Sequence, residues 1–170
     1  MQFLKRIFLN PLVIFLIIGF VAIILIVQRN NVNPFTLQLI DQEAQAVTLA
    51  KYLGHKPLIL NFWASWCPHC QNEVAILNKL QAKYPNINII GIQVDEGTAN
   101  HIFNTATYTI LHAPITGNTM MNQLGNSMGA VPYIIFLNSN GKVVDSATGE
   151  TSLVELENII AKLKHNQQGL

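Results

Sequence analysis

The sequence predicts an α/β fold: a central mixed β-sheet flanked by helices, preceded by an N-terminal transmembrane helix. Three observations predict it. Two continuous apolar runs of strand length, within Pro57–Ala64 and Ile87–Val94, enclose a stretch with helical spacing, as parallel strands buried on both faces do. A third apolar run, Tyr133–Leu137, leads through a turn into a second strand-like run and then an amphipathic helix, which adds a hairpin and a covering helix to the sheet. Finally, Ile7–Val27 is 21 residues long and broken only by Asn10, Pro11 and Gly19. A helix of that length reaches roughly 30 Å, the thickness of a bilayer's hydrocarbon core.

Lys5 and Arg6 precede the apolar span, so the positive-inside rule keeps residues 1–6 in the cytoplasm and sends the rest across. A removable signal peptide would want an Ala-x-Ala-like site after the apolar core. The span instead runs out through "ILIVQRNN", and no cysteine follows that could carry lipid. The reading is therefore a retained anchor over 7–27, a polar linker over 28–34, a globular domain over 35–165 and a short tail over 166–170.

Within the domain, "FTLQL" alternates as a half-buried strand does, and Ala46–Leu49 is a second short strand. "TLAKYLG" reads as one helical turn, with Thr48 as N-cap and Gly54 ending it. After the Pro57–Ala64 strand, Pro68 to about Tyr84 places Val74, Leu77, Leu80 and Tyr84 on one side, and Pro85 stops the helix. Thr98 to about Ala106 reads as helix, "TILHAPIT" as a strand and Asn118–Gln123 as a short helix. "NSNG" turns the chain between Tyr133–Leu137 and "KVVDSA". Ser152–Lys164 closes the domain with Leu153, Leu156, Ile160 and Leu163 as its apolar stripe.

Apolar residues make up 50% of the chain. From Gln28 onward eight basic side chains face nine acidic ones, with no basic patch, which speaks against a nucleic-acid partner. A single apolar span speaks against a channel or transporter. A domain tethered outside the cytoplasm would sit in an oxidising compartment, where a cysteine pair can be a disulfide.

The only two cysteines, Cys67 and Cys70, stand in "NFWASWCPHCQNEV". A zinc centre needs about four ligands, and neither a second Cys-x-x-Cys nor a His-x₃₋₅-His pair accompanies them. A purely structural disulfide across so short a loop would stabilise little. Electron exchange fits better. Cys67 falls where a buried strand gives way to a helix, facing unpaired N–H groups and the positive end of the helix dipole, which favour thiolate. Pro68 suits the first helical turn. Cys70 lies one turn on, within bonding reach. Cys67 would form a mixed disulfide with a substrate, and Cys70 would resolve it.

"LILNFWASWCPHC" followed by "GAVPYIIFLNSNGKVV" resembles the thioredoxin fold, and more narrowly the membrane-anchored TlpA-like group, which includes the thiol–disulfide oxidoreductases of cytochrome c maturation. The resemblance covers about Phe35–Leu163. It implies a cis peptide bond before Pro132, packed beside the cysteines, and pairing of the Val131 backbone with a substrate chain. It implies that Asn61 replaces the buried aspartate of cytosolic thioredoxins, that Glu73 assists proton transfer at Cys70, and that Trp66 flanks Cys67 at the surface. Trp63 reads as core. Tyr133 departs from the threonine many members carry after the proline.

Pro68–His69 is the dipeptide of DsbA-type oxidases, whose histidine stabilises the thiolate. Potentials in this fold run from about −270 to about −120 mV, so the dipeptide bears on the direction of electron flow. Only 61 residues separate Cys70 from Pro132, which suits the TlpA-like group and not the larger DsbA insert. The resemblance implies a single-pass protein of a bacterial inner membrane with its catalytic domain in the periplasm. No metal and no cofactor is implied beyond the redox-active pair. Such a protein would reduce disulfides in envelope proteins such as apocytochrome c and be recharged by a transmembrane donor of DsbD type. The alternatives are a dithiol oxidase recharged by a quinone-linked partner and a chaperone-like module that only senses redox state.

Overall fold

The computed structural model describes residues 11–29, 33–54, 56–97 and 105–167. The chain divides into two units, Met1–Asn33 and Pro34–Leu170. In the first, helix α1 runs Pro11–Arg29 and carries no acidic residue in its first turn. The membrane span expected over Ile7–Val27 thus begins outside the described residues. Side chains of α1 are described only as far as Ile23, and among the described residues no helix is long and apolar enough to cross a membrane.

The second unit is built on one seven-stranded mixed sheet. Its strands are β1 (Gln38–Ile40), β2 (Ala46–Thr48), β3 (Leu58–Trp63), β4 (Asn88–Gln93), β5 (Thr109–His112), β6 (Tyr133–Leu137) and β7 (Val143–Thr148), in the spatial order β2-β1-β5-β4-β3-β6-β7. β3, β4 and β5 are parallel; β6, β7, β1 and β2 join antiparallel at the two sides. All residues of β3 and β6 are buried, which is why they read as unbroken apolar runs and not as alternation.

Helices cover both faces. Helix α2 (Pro68–Lys83) buries Val74, Leu77 and Leu80, and helix α4 (Leu153–Gln167) buries Leu156, Ile160 and Leu163. These pack with Ile59, Trp63, Ile110, Ile134 and Phe136 on one face. Ser152 Oγ accepts the Glu155 N–H at 3.2 Å and starts α4, the helix-start pattern of a serine three residues before a glutamate. On the opposite face helix α3 (Gly117–Gln123) sets Met120 and Met121 against Leu60, Phe62, Ile92 and Ile135.

Three local expectations change. "FTLQL" is not one strand: Pro34–Thr36 is a 3₁₀ turn, and β1 starts only at Gln38, since proline fixes φ and brings no N–H to a ladder. The strand expected over "TILHAPIT" ends at His112, ahead of Pro114. Thr48 precedes the 3₁₀ turn Leu49–Tyr52 without a side-chain cap. The helix expected over Thr98–Ala106 lies mostly outside the described residues.

Candidate active site

Cys67 is the N-cap of α2, with Pro68 in the first turn. The two sulfurs are bonded, with Cα atoms 5.3 Å apart. The Cys70 N–H donates to Cys67 Sγ at 3.2 Å. The first sulfur therefore already occupies the place where an orphan helix N–H meets negative charge. Both cysteines are buried in the disulfide form, Cys67 3% and Cys70 1% exposed. In this form neither sulfur is open to solvent, and the chain from another part of the fold comes up to Cys67.

That chain is the loop before β6. The Val131–Pro132 peptide is cis, and Val131 O stands 3.8 Å from Cys67 Sγ. Tyr133 turns the other way. Its hydroxyl donates to Leu124 O at 2.8 Å and its ring packs 6.1 Å from Phe62, so the residue in the threonine position serves the opposite core. Trp66 is 70% exposed beside Cys67, while Trp63 is buried.

The turn that carries Ser65 and Trp66 is held from β4. Ser65 donates its N–H to Asp95 Oδ1 at 3.0 Å and its hydroxyl to Asp95 Oδ2; Gln93 Nε2 adds a third bond at 3.0 Å. Burial pushes the Asp95 carboxyl up, but these donors and the Gly97 N–H outweigh it and hold the group below the usual aspartate range.

Glu73 lies one turn beyond Cys70 and is 0% exposed. Its Oε1 accepts Thr151 Oγ1 at 2.7 Å and Thr151 N–H at 3.2 Å, while Oε2 meets no donor among the described residues. Its pKa is raised to about 7: burial pushes it up most, the Thr151 hydrogen bonds pull it back, and the charges of Glu150 and Glu155 add a smaller upward push. Asn61 and Tyr108 are buried on the same face of the sheet. Burial, and then the Glu73 charge, push the Tyr108 phenol well above its ordinary range, against a hydrogen bond from Asn61. A carboxyl that changes protonation near neutrality, one helical turn from the second sulfur, can take or give the proton that thiol exchange moves.

His69 engages a partner outside the motif. Its Nδ1 meets Glu150 Oε2 at 2.6 Å on the surface, and Asn72 Nδ2 donates to Glu150 Oε1 at 3.4 Å. Among the described residues no hydrogen bond joins His69 to Cys67. Glu150, Thr151 and Asp95 are the site residues that reading the sequence missed. Each reaches the motif from 30 to 81 residues away, and no local spacing signals such a contact. Among the described residues no group of three or more metal-ligating side chains occurs.

Residues 29–146 match the AhpC/TSA family. The chain is 31% identical over 126 residues to a thiol-disulfide oxidoreductase ResA of Bacillus cereus, covering 72% of each chain. It is 31% identical over 97 residues to the thiol:disulfide interchange protein DsbE of Yersinia pestis, covering 48% of this chain and 50% of that one. Among solved structures, a secreted Mycobacterium tuberculosis disulfide oxidoreductase homologous to E. coli DsbE superposes with a TM-score of 0.62 at 21% identity, over 76% of this chain and 98% of that one. That last likeness establishes the thioredoxin-like fold.

Proposed function

This chain belongs to the AhpC/TSA family and is a thiol–disulfide oxidoreductase of the ResA/DsbE type, and from that premise we propose that it reduces disulfides of envelope proteins, apocytochrome c among them, from a membrane tether. The observation that carries the direction is the 2.6 Å contact of His69 with Glu150. A histidine engaged by a carboxylate lends less to the Cys67 thiolate, and a less stabilised thiolate makes a more reducing couple.

The steps balance as a two-electron exchange. The Cys67 thiolate attacks one sulfur of a substrate disulfide. That S–S bond breaks, a mixed disulfide forms, and the departing substrate thiolate takes a proton. Cys70 gives its proton to Glu73 and attacks Cys67 Sγ. The Cys67–Cys70 bond forms and the second substrate sulfur leaves as a thiolate, which takes up the proton held by Glu73. The backbone at Val131, beside Cys67 Sγ, would pair with the substrate chain, and Pro132 and Trp66 would border it. A transmembrane donor of DsbD type would then return two electrons to the disulfide.

The tether is supported by α1. Ile14, Phe15, Leu16, Ile17, Ile18, Phe20, Val21 and Ile23 are all exposed. Successive positions on a helix point about 100° apart, so these side chains present apolar surface all round it, as a helix in lipid does. The catalytic unit would stand in the periplasm of a bacterial inner membrane.

The test of direction is the redox state in acid-quenched cells, read by thiol alkylation and gel shift. Mostly reduced Cys67 and Cys70 is the expected outcome. A mostly oxidised pair, becoming reduced only when a quinone-linked partner is lost, would replace the reductase with a dithiol oxidase.

A further inference from the structure

The segment Gly149–Glu150–Thr151 reaches three parts of the site: the cis-proline loop, the first turn of α2 and Glu73. Gly149 N–H donates to Pro132 O at 2.8 Å, and its φ of +89° is a conformation glycine adopts without strain. Thr151 holds Glu73 Oε1 through two donors. Glu150, between these anchors, sends its carboxylate back to α2, where Oε2 meets His69 Nδ1 at 2.6 Å and Oε1 accepts from Asn72 at 3.4 Å. Both neighbours of Glu150 are pinned to buried or loop-fixed partners, so its backbone is pre-positioned, and the contact to His69 does not depend on a free loop finding it.

A surface contact of this kind contributes little to stability, since water competes for both groups. Its effect lies in where it points the imidazole. His69 is the residue between Cys67 and Cys70 best able to stabilise a thiolate, and its Nδ1 is committed to another anion. We propose that Glu150 is a positioning residue that sets the redox balance of the Cys67–Cys70 couple through His69, holding the imidazole away from the Cys67 thiolate and keeping the couple more reducing than its Cys-Pro-His-Cys sequence alone would make it.

The inference rests on Cys67 being the attacking thiol. Faster alkylation of Cys70 than of Cys67 would remove that premise, and this readout is separate from the one below.

The experiment is equilibration of the full chain, in detergent, with glutathione. The disulfide protein plus two glutathione thiols gives the dithiol protein plus glutathione disulfide. Glu150→Gln is expected to shift this equilibrium about tenfold toward the dithiol, ~30 mV, and to lower the pH at which Cys67 begins to react with an alkylating agent. Removing any negative charge near a thiolate could do part of this by simple Coulomb repulsion, so the decisive arm is the same substitution in a His69→Gln background. A shift below about threefold there supports action through the imidazole. A shift of threefold or more retained without His69, or a Glu150→Gln shift below threefold with His69 present, overturns the proposal. Both side chains are exposed, so neither variant removes core packing.

Discussion

Glu73 is an acid kept in an apolar interior, with one oxygen bonded and the other without a donor among the described residues. Its folded pKa, about 7, lies above the 4.5 of an ordinary glutamic acid. A group whose folded pKa is raised binds its proton more tightly in the native state. The stability it contributes is fully present below about pH 4.5 and is lost as pH rises through 7. The difference corresponds to about 3 kcal/mol. Urea unfolding of the oxidised protein should therefore show stability falling across that window. Glu73→Gln, neutral at every pH and still able to accept from Thr151, should flatten the profile. An unchanged slope in the variant would show that another group titrates there. The cysteine pair itself was legible from four consecutive residues, because a helix start and a one-turn spacing are local facts. The partners of Glu73 and His69 were not, because Thr151 and Glu150 arrive 78 and 81 residues later in the chain.

Among the elements, β4 is closely packed at Gly91 on the site's face. Gly91 pairs with Asn61 of β3 and with Ile110 of β5. A methyl group there would stand 2.6 Å from Ile110 Cδ1 and 3.2 Å from both Trp63 Nε1 and Tyr108 Cε2. Gly91→Ala should cost about 1–3 kcal/mol, the usual range for overpacking, measured as a lower urea midpoint. The expected companion is a shifted Trp63 signal in near-ultraviolet circular dichroism, because that ring must move. A Gly91→Ala variant as stable as the parent would show that Ile110 yields freely. The long buried elements were readable for the same reason that β4 is crowded: β3, β4 and β6 are covered on both faces, so their apolar runs are unbroken. The short edge elements were harder. In "NPFTLQL" the period of two is real, but Pro34 turns the first half into a 3₁₀ turn, and a three-residue edge strand has little pattern to show.

At the scale of the molecule, the apolar N-terminal segment and the catalytic unit predict a protein that stays full-length in the membrane fraction, with residues after the linker open to protease only from the periplasmic side. Recovery of a shortened soluble form lacking the first thirty or so residues would show a cleaved leader instead. The sheet order carries a different consequence. β3, which leads into Cys67, hydrogen-bonds on one side to β4 and on the other to β6, about 70 residues later. A ribosome adds residues at about 5–20 per second. The two cysteines therefore emerge several seconds before Val131, which approaches Cys67, and Thr151, which holds Glu73, exist. During that interval the growing chain has its thiols just beyond a strand that lacks its second neighbour, open to whatever oxidant or nascent partner is present. Slowed translation beyond Cys70 should therefore raise the share of misoxidised, cross-linked product, read on non-reducing gels.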